Sequence, residues 1–181
     1  NTIIAEGLPG DLFSNAHFRN NLFLGTDAPG RAVFRFSNAT AYSTYDYNGY
    51  RLNPRAKDQF LWISPAAGSL RDYTLDRGSA KRLGSLAELR TVTGQEAHGI
   101  EIDYNIFEEL GAPDAAKPQA VYHASELNFK LNPHGKAVDA GIHLPGVNDG
   151  FAGNAPDLGA YEVGQPLPKY GPRSTAATAY E

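Results

Sequence analysis

Four tyrosines, Tyr42, Tyr45, Tyr47 and Tyr50, interleave with Asp46, Asn48 and Arg51 over residues 42–51. Aromatic rings with polar and charged groups at their rim suit a sugar, apolar faces meeting aromatics and hydroxyls meeting charge. In such a site Arg51 would neutralise a uronate carboxylate, lowering the barrier to proton abstraction beside it, and Tyr47 would serve as base or acid. Tyr45, Tyr50 and Asp46 then read as substrate contacts. Tyrosines at alternate positions are also ordinary strand residues, with Asp46 and Asn48 capping a turn, and that structural reading carries more weight.

A second constellation, Gln95-Glu96-Ala97-His98, sets a carboxylate and an imidazole two positions apart. On an extended segment Glu96 and His98 face the same side and form an acid/base pair. Spacing alone favours the structural alternative, in which Gln95 and Glu96 finish a helix turn and His98 opens a surface strand. His17 and Arg19 share one face of their own strand and read as further substrate contacts. Towards the end of the chain, Asp139, Asn148, Asp149, Asn154, Asp157 and Glu162 are rich in oxygen ligands. Calcium needs six to eight oxygens around one point, and no EF-hand pattern is present. Asn148-Asp149-Gly150 is a good turn sequence, so the expectation is no cofactor, with Ca²⁺ as the minor alternative.

The elements that must position these residues are short. Apolar-alternating runs occur at residues 2–5, 16–24, 32–37, 60–63, 99–103, 128–132 and 158–163, separated by turn residues such as Gly7-Leu8-Pro9-Gly10. Nineteen glycines and twelve prolines favour turns over long helices. One helix is signalled by the capping box Ser85-Leu86-Ala87-Glu88, with Leu86, Leu89 and Val92 on one side and Gly94 as a left-handed stop. Residues 53–97 read as a long excursion from the strand-bearing body. Hairpin signals are scarce, which argues against a sandwich. Asparagine recurs beside apolar triplets, as in Asn20-Asn21-Leu22-Phe23, Asn105-Ile106-Phe107 and Asn128-Phe129. Asparagine tolerates the left-handed conformation that turns a corner, and stacked amides hydrogen-bond from rung to rung. The pattern predicts an all-β fold, a parallel β-helix (solenoid) with one short inserted α-helix.

Asn20-Asn21-Leu22-Phe23-Leu24 and Tyr45-Asp46-Tyr47-Asn48-Gly49-Tyr50-Arg51 resemble coils of bacterial right-handed parallel β-helix proteins, the pectate-lyase-like group. Residues 85–99 look like the inserted helix and returning strand of that group, and residues 137–141 and 155–162 are similar to its final coil. The resemblance covers most of residues 15–165. It implies the C-terminal coils of a β-helix over residues 1–165, with an extended or flexible tail at 166–181. It further implies a secreted, periplasmic or cell-surface protein that binds or cleaves polysaccharide, as a lyase or glycoside hydrolase. A non-catalytic extracellular structural protein, adhesin or filament subunit is the alternative. An uncapped first rung exposes strand edges, so Thr2-Ile3-Ile4-Ala5 is expected to pack on a coil from a lost N-terminal region or from another chain.

The 181 residues carry 16 Lys and Arg against 20 Asp and Glu, a net charge of −4. Mild acidity without a basic block argues against nucleic acid. No apolar run approaches the roughly 18 residues of a membrane span. Cysteine is absent, excluding disulfides, thiolate metal sites and cysteine nucleophiles. Methionine is absent too, and a translated chain starts with Met, so a processed chain or part of a longer one is expected. No GxSxG, Walker loop, HExxH or dinucleotide fingerprint occurs, which leaves serine hydrolase, nucleotide and zinc-protease readings without support.

Overall fold

Asn20 turns the chain in the left-handed region, at φ 57°, and that corner splits the apolar run 16–24 into two short strands. The computed structural model describes residues 1–5, 12–27, 30–66, 80–117, 119–123 and 126–168. Its elements are β1 (Thr2–Ile4), β2 (Leu12–Phe13), β3 (His17–Phe18), β4 (Leu22–Leu24), β5 (Phe34–Asn38), β6 (Thr44–Tyr45), β7 (Gly49–Arg51) and β8 (Phe60–Ile63). Then follow β9 (Lys81–Leu83), α1 (Leu86–Thr93), β10 (Ile100–Glu101) and a 3₁₀ turn at Tyr104–Ile106. The expected turn at 7–10 and the tail from 169 lie outside the described residues.

Successive strands join three sheets in rotation. The orders are β1-β4-β7-β10, β2-β5-β8-β9 and β3-β6. Every pairing is parallel except β8 with β9. Thr2 lies beside Leu22, Leu22 beside Gly49 and Gly49 beside Ile100, so each return of the chain adds one strand to the same sheet. Among the described residues the fold is thus short strands in parallel sheets with one α-helix, consistent with an all-β chain.

Period-2 alternation then decides what fills each face. Ile3, Phe23 and Tyr50 lie side by side in register and enter the aromatic core with Phe34, Phe36, Tyr45 and Phe60. Like stacks on like: Phe23 and Tyr50 lie 5.3 Å apart at 23°, and Phe18 and Tyr45 lie 5.0 Å apart at 17°. Such pairs add about 0.5–1.5 kcal/mol each beyond the area they bury. The opposite face of the first sheet carries Ile4, Leu22 and Leu24, which pack with Ile102, Tyr104, Ile106 and Leu158. A Cβ on Gly49 would meet Leu22 at 2.8 Å and Leu158 at 3.3 Å, so glycine leaves the room the covering segment needs. Burial on both faces explains the unbroken Leu22-Phe23-Leu24 run.

The helix forms as its caps dictate. The Ser85 hydroxyl accepts from the Glu88 amide at 3.1 Å, and Gly94, at φ 69°, donates to the Arg90 carbonyl. The Glu88 carboxylate reaches back to the Gly84 N–H rather than to that of Ser85. Leu86 and Leu89 are buried, whereas Val92 faces solvent. Within the expected excursion, Phe60–Ile63 and Lys81–Leu83 belong to the second sheet, Phe60–Ile63 paired residue for residue with Phe34–Ser37.

Two expected strands do not form. At 128–132 only Leu131 makes an isolated bridge, to Phe107, because the Asn128 and Asn132 side chains accept the N–H of Lys130 and His134 and curl the backbone. At 158–163 the Asp157 carboxylate takes the Val163 N–H and Glu162 takes that of Asp157, which folds the segment into turns.

Candidate functional site

Asparagine side chains just ahead of neighbouring parallel strands of the first sheet join one to the next. Asn1 Nδ2 donates to Asn21 Oδ1 at 3.1 Å, Asn21 Nδ2 to Asn48 Oδ1 at 2.9 Å, and Asn48 Nδ2 to Glu96 Oε1 at 2.7 Å. The backbone places Gly99, not Glu96, beside Asn48, since the residue after it, Ile100, donates to the Asn48 carbonyl. A Cβ on Gly99 would sit 2.6 Å from Glu96 Oε2. The Glu96 carboxylate therefore occupies the place of a fourth amide, and glycine is what makes that place free.

Glu96 is fully buried and also accepts from the Tyr50 hydroxyl at 2.7 Å. Burial pushes its carboxyl up to about 7, against the pull of the Tyr50 and Asn48 hydrogen bonds. The Tyr50 hydroxyl moves well above its ordinary value, first through burial and then through the Glu96 charge. The Tyr45 ring lies in the core, its hydroxyl donating to Asn38 Oδ1 at 2.6 Å. Neither ring presents a face to solvent, so the expected sugar contacts at Tyr45 and Tyr50 are corrected: both rings are needed inside the stack.

Arg51 lies at the far end of β7 and is 8% exposed. Its guanidinium is closed by the Gly25 carbonyl, Asp27 and Asp103, and sits over the Tyr104 ring. Glu96 and Arg51 thus hold the backbone at opposite ends of one strand.

Tyr47 and His98 do come together, at the surface. Their rings stack at 4.3 Å and 14°. Tyr47 holds a positive φ of 55° at the position beside Asn20 in the parallel register, as the Asn20-to-Tyr47 backbone bond records. Asp46 Oδ2 lies 2.9 Å from His98 Nδ1, while Oδ1 accepts the backbone N–H of both His98 and Tyr47. Partial burial raises the Asp46 carboxyl, but these His98 and Tyr47 hydrogen bonds outweigh it and leave it below its ordinary value. An imidazole oriented by a carboxylate through Nδ1 turns Nε2 outward, the arrangement of a proton carrier or hydroxyl ligand.

On the adjoining β3–β6 ladder, Thr44 Oγ1 lies 2.7 Å from His17 Nδ1 and accepts from Arg19 Nη2 at 2.9 Å. Arg19 also bonds the Thr44 and Phe18 carbonyls. The shared face of His17 and Arg19 was legible as period-2 spacing. Thr44, which joins them, was not, because it lies 27 and 25 residues away along the chain.

The oxygen-rich end of the chain turns inward on its own backbone. Asp139 accepts the N–H of Asn154 and Ala155, Asp157 those of Asp139 and Val163, and Glu162 those of Ala152 and Asp157. Among the described residues no group of three or more His, Asp or Glu is placed to hold a metal ion, and no helix is long and apolar enough to cross a membrane.

No family model, curated protein or solved structure matches this chain.

Proposed function

We propose that the three sheets are coils of a right-handed parallel β-helix, pectate-lyase-like in kind, in a protein secreted or held in the periplasm or at the cell surface. On this reading it binds polysaccharide along the corner formed by Asp46, Tyr47 and His98, with His17 and Arg19 on the neighbouring ladder. The return of the chain to one sheet at Leu22, Gly49 and Ile100 supports the coil reading.

One observation carries the carbohydrate reading: a half-buried tyrosine ring stacked on an exposed imidazole that is tied to a carboxylate, next to a second His and an Arg. The rings supply a plane for the C–H face of a sugar, and the Asp46, His98 and Arg19 groups hydrogen-bond its hydroxyls and acidic substituents. Binding is favoured over cleavage, because Glu96 is buried and Arg51 is closed by two carboxylates. Those two side chains favour the non-catalytic alternative, a surface spacer, adhesin or filament subunit, if no glycan binds.

Calorimetric titration with uronic-acid polymers and neutral glucans tests this. Binding of at least one polymer is expected, weakened tenfold or more by Tyr47→Ala and by His98→Ala with little change in melting temperature. Absence of binding across the panel refutes it. Growth of the ultraviolet absorbance of unsaturated uronates would move the reading from binder to lyase.

A further inference from the structure

We propose that a second sugar-binding subsite lies at His143 and Phe151, and that the glycan runs to it from His98 across Tyr47 and Asn20. This extends, and rests on, the carbohydrate reading of the Tyr47–His98 corner. Gly49 pairs with Leu22 on one side and with Ile100 on the other. Two residues ahead of these three stand Tyr47, Asn20 and His98, which therefore form a row across adjoining strands. The Asn20 N–H donates to the Tyr47 carbonyl, and the Tyr47 ring stacks on His98 at 4.3 Å. Neighbouring strands lie about 4.8 Å apart, so the row is about 10 Å long, more than one sugar ring.

The row does not stop at Asn20. Its side chain holds a further segment of the chain: Nδ2 donates to the Ile142 carbonyl at 2.8 Å, and Oδ1 accepts the Ile142 N–H at 2.8 Å. That two-point contact seats His143 next to the end of the row. His143 Nε2 lies 2.7 Å from Asp149 Oδ1, and its ring packs against Phe151 at 5.6 Å and 56°. Aromatic ring, imidazole and carboxylate thus recur in the combination that Tyr47, His98 and Asp46 make. The His143 side chain is 47% exposed, and with Nε2 held by Asp149 its Nδ1 remains for a sugar hydroxyl.

The segment is fixed before any ligand arrives. Asn148 Oδ1 accepts the Leu144 N–H at 2.7 Å and Nδ2 donates to the Ile142 carbonyl at 3.1 Å, which ties down the residues on both sides of His143. Asp149 Oδ2 accepts the Gly146 N–H at 2.8 Å. The His143 and Gly146 hydrogen bonds hold the Asp149 carboxyl below its ordinary range, so it orients the imidazole as an ionised group. A side chain already fixed loses little freedom on binding, so this subsite adds affinity to any oligomer long enough to reach it. An oligomer that fills only the Tyr47–His98 end gains nothing from it.

The probes are a dimer and a hexamer of a uronic acid, and a dimer and a hexamer of glucose. With the pair that binds better, calorimetry on the full chain is expected to show the hexamer held at least tenfold more tightly than the dimer. His143→Ala should bring the two within threefold, with the melting temperature nearly unchanged. Carbon–proton NMR spectra of the imidazole rings give a readout that needs no variant: the hexamer should shift the His98 and His143 signals together, and the dimer those of His98 alone. A hexamer that shifts His98 but not His143, or a hexamer-to-dimer ratio left unchanged by His143→Ala, overturns the second subsite while the Tyr47–His98 site stands. Shifts at His143 alone overturn it too, since the ligand then lies off the row. No heat of binding and no shift at either histidine overturn both sites together.

Discussion

Protonation of one buried side chain should set how the stability of this protein depends on pH. Glu96 is fully buried, and its carboxyl rises from an ordinary 4.5 to about 7. Because the folded state holds this proton more tightly than the unfolded chain, the folded form binds more protons between those two values. Stability therefore falls as pH climbs through that window. Below 4.5 the contribution is fully present, and above 7 it is lost, amounting to roughly 3 kcal/mol. Glu96→Gln keeps the volume and an acceptor for Asn48 and Tyr50 but cannot titrate. Urea unfolding of the natural chain and of Glu96→Gln, at half-unit steps from pH 4 to 8, isolates the effect in the difference between the two curves. That difference should shift by roughly 3 kcal/mol in favour of the variant from the acid end to the alkaline end. Other shifted carboxylates whose causes do not include Glu96, such as Asp157, act on both proteins and cancel. A difference that stays flat with pH, or one that moves towards the natural chain as pH rises, refutes the reasoning.

Two further outcomes follow from the ladder. Gly99→Ala places a Cβ 2.6 Å from Glu96 Oε2 and should cost about 1–3 kcal/mol in urea unfolding, with the penalty reduced when Glu96→Ala is added to remove the clash. Asn48→Ala removes one donor to the buried Glu96 carboxylate and the Oδ1 acceptor of the Asn21 backbone and side-chain N–H, and should cost about 2–4 kcal/mol, whereas Asn1→Ala, at the exposed end of the amide series, should cost under about 1 kcal/mol by the same measurement.

Several parts of the site were legible in the residues and others were not, and the division follows sequence distance. Asp46, Tyr47 and His98 stood in two separate constellations: the first held Asp46 and Tyr47 beside the buried Tyr45, Tyr50 and Arg51, and the second held His98 beside the buried Glu96. Period-2 spacing put Tyr45 and Tyr47 on the same side of an ideal strand, but the positive φ of Tyr47 turns its ring out to His98 while Tyr45 stays in the core. Glu96 and His98 diverge for a like reason: Glu96 adopts φ 55°, and its carboxylate goes into the space beside Gly99. Arg51 read as a free cation because its partners Asp27 and Asp103 are 24 and 52 residues away.

Local chemistry determined the elements that need only near neighbours. The capping box fixed the helix start and Gly94 its end, and Asn20-Asn21 ahead of Leu22 marked a left-handed turn and an amide bond to the neighbouring strand, whereas Asn105 lies in a 3₁₀ turn and Asn128 in a segment that forms no strand. Tertiary structure alone decided which face of each strand was inside and which carboxylate met which donor. Leu22-Phe23-Leu24 has no alternation to read, because the chain's own segment around Leu158 covers the face that would otherwise meet water. The pairing of Tyr47 with His98, and of Glu96 with Asn48 and Tyr50, depends on the register of the parallel strands. That register is set by the lengths of the connections and by packing inside the stack, neither of which any short stretch of sequence encodes.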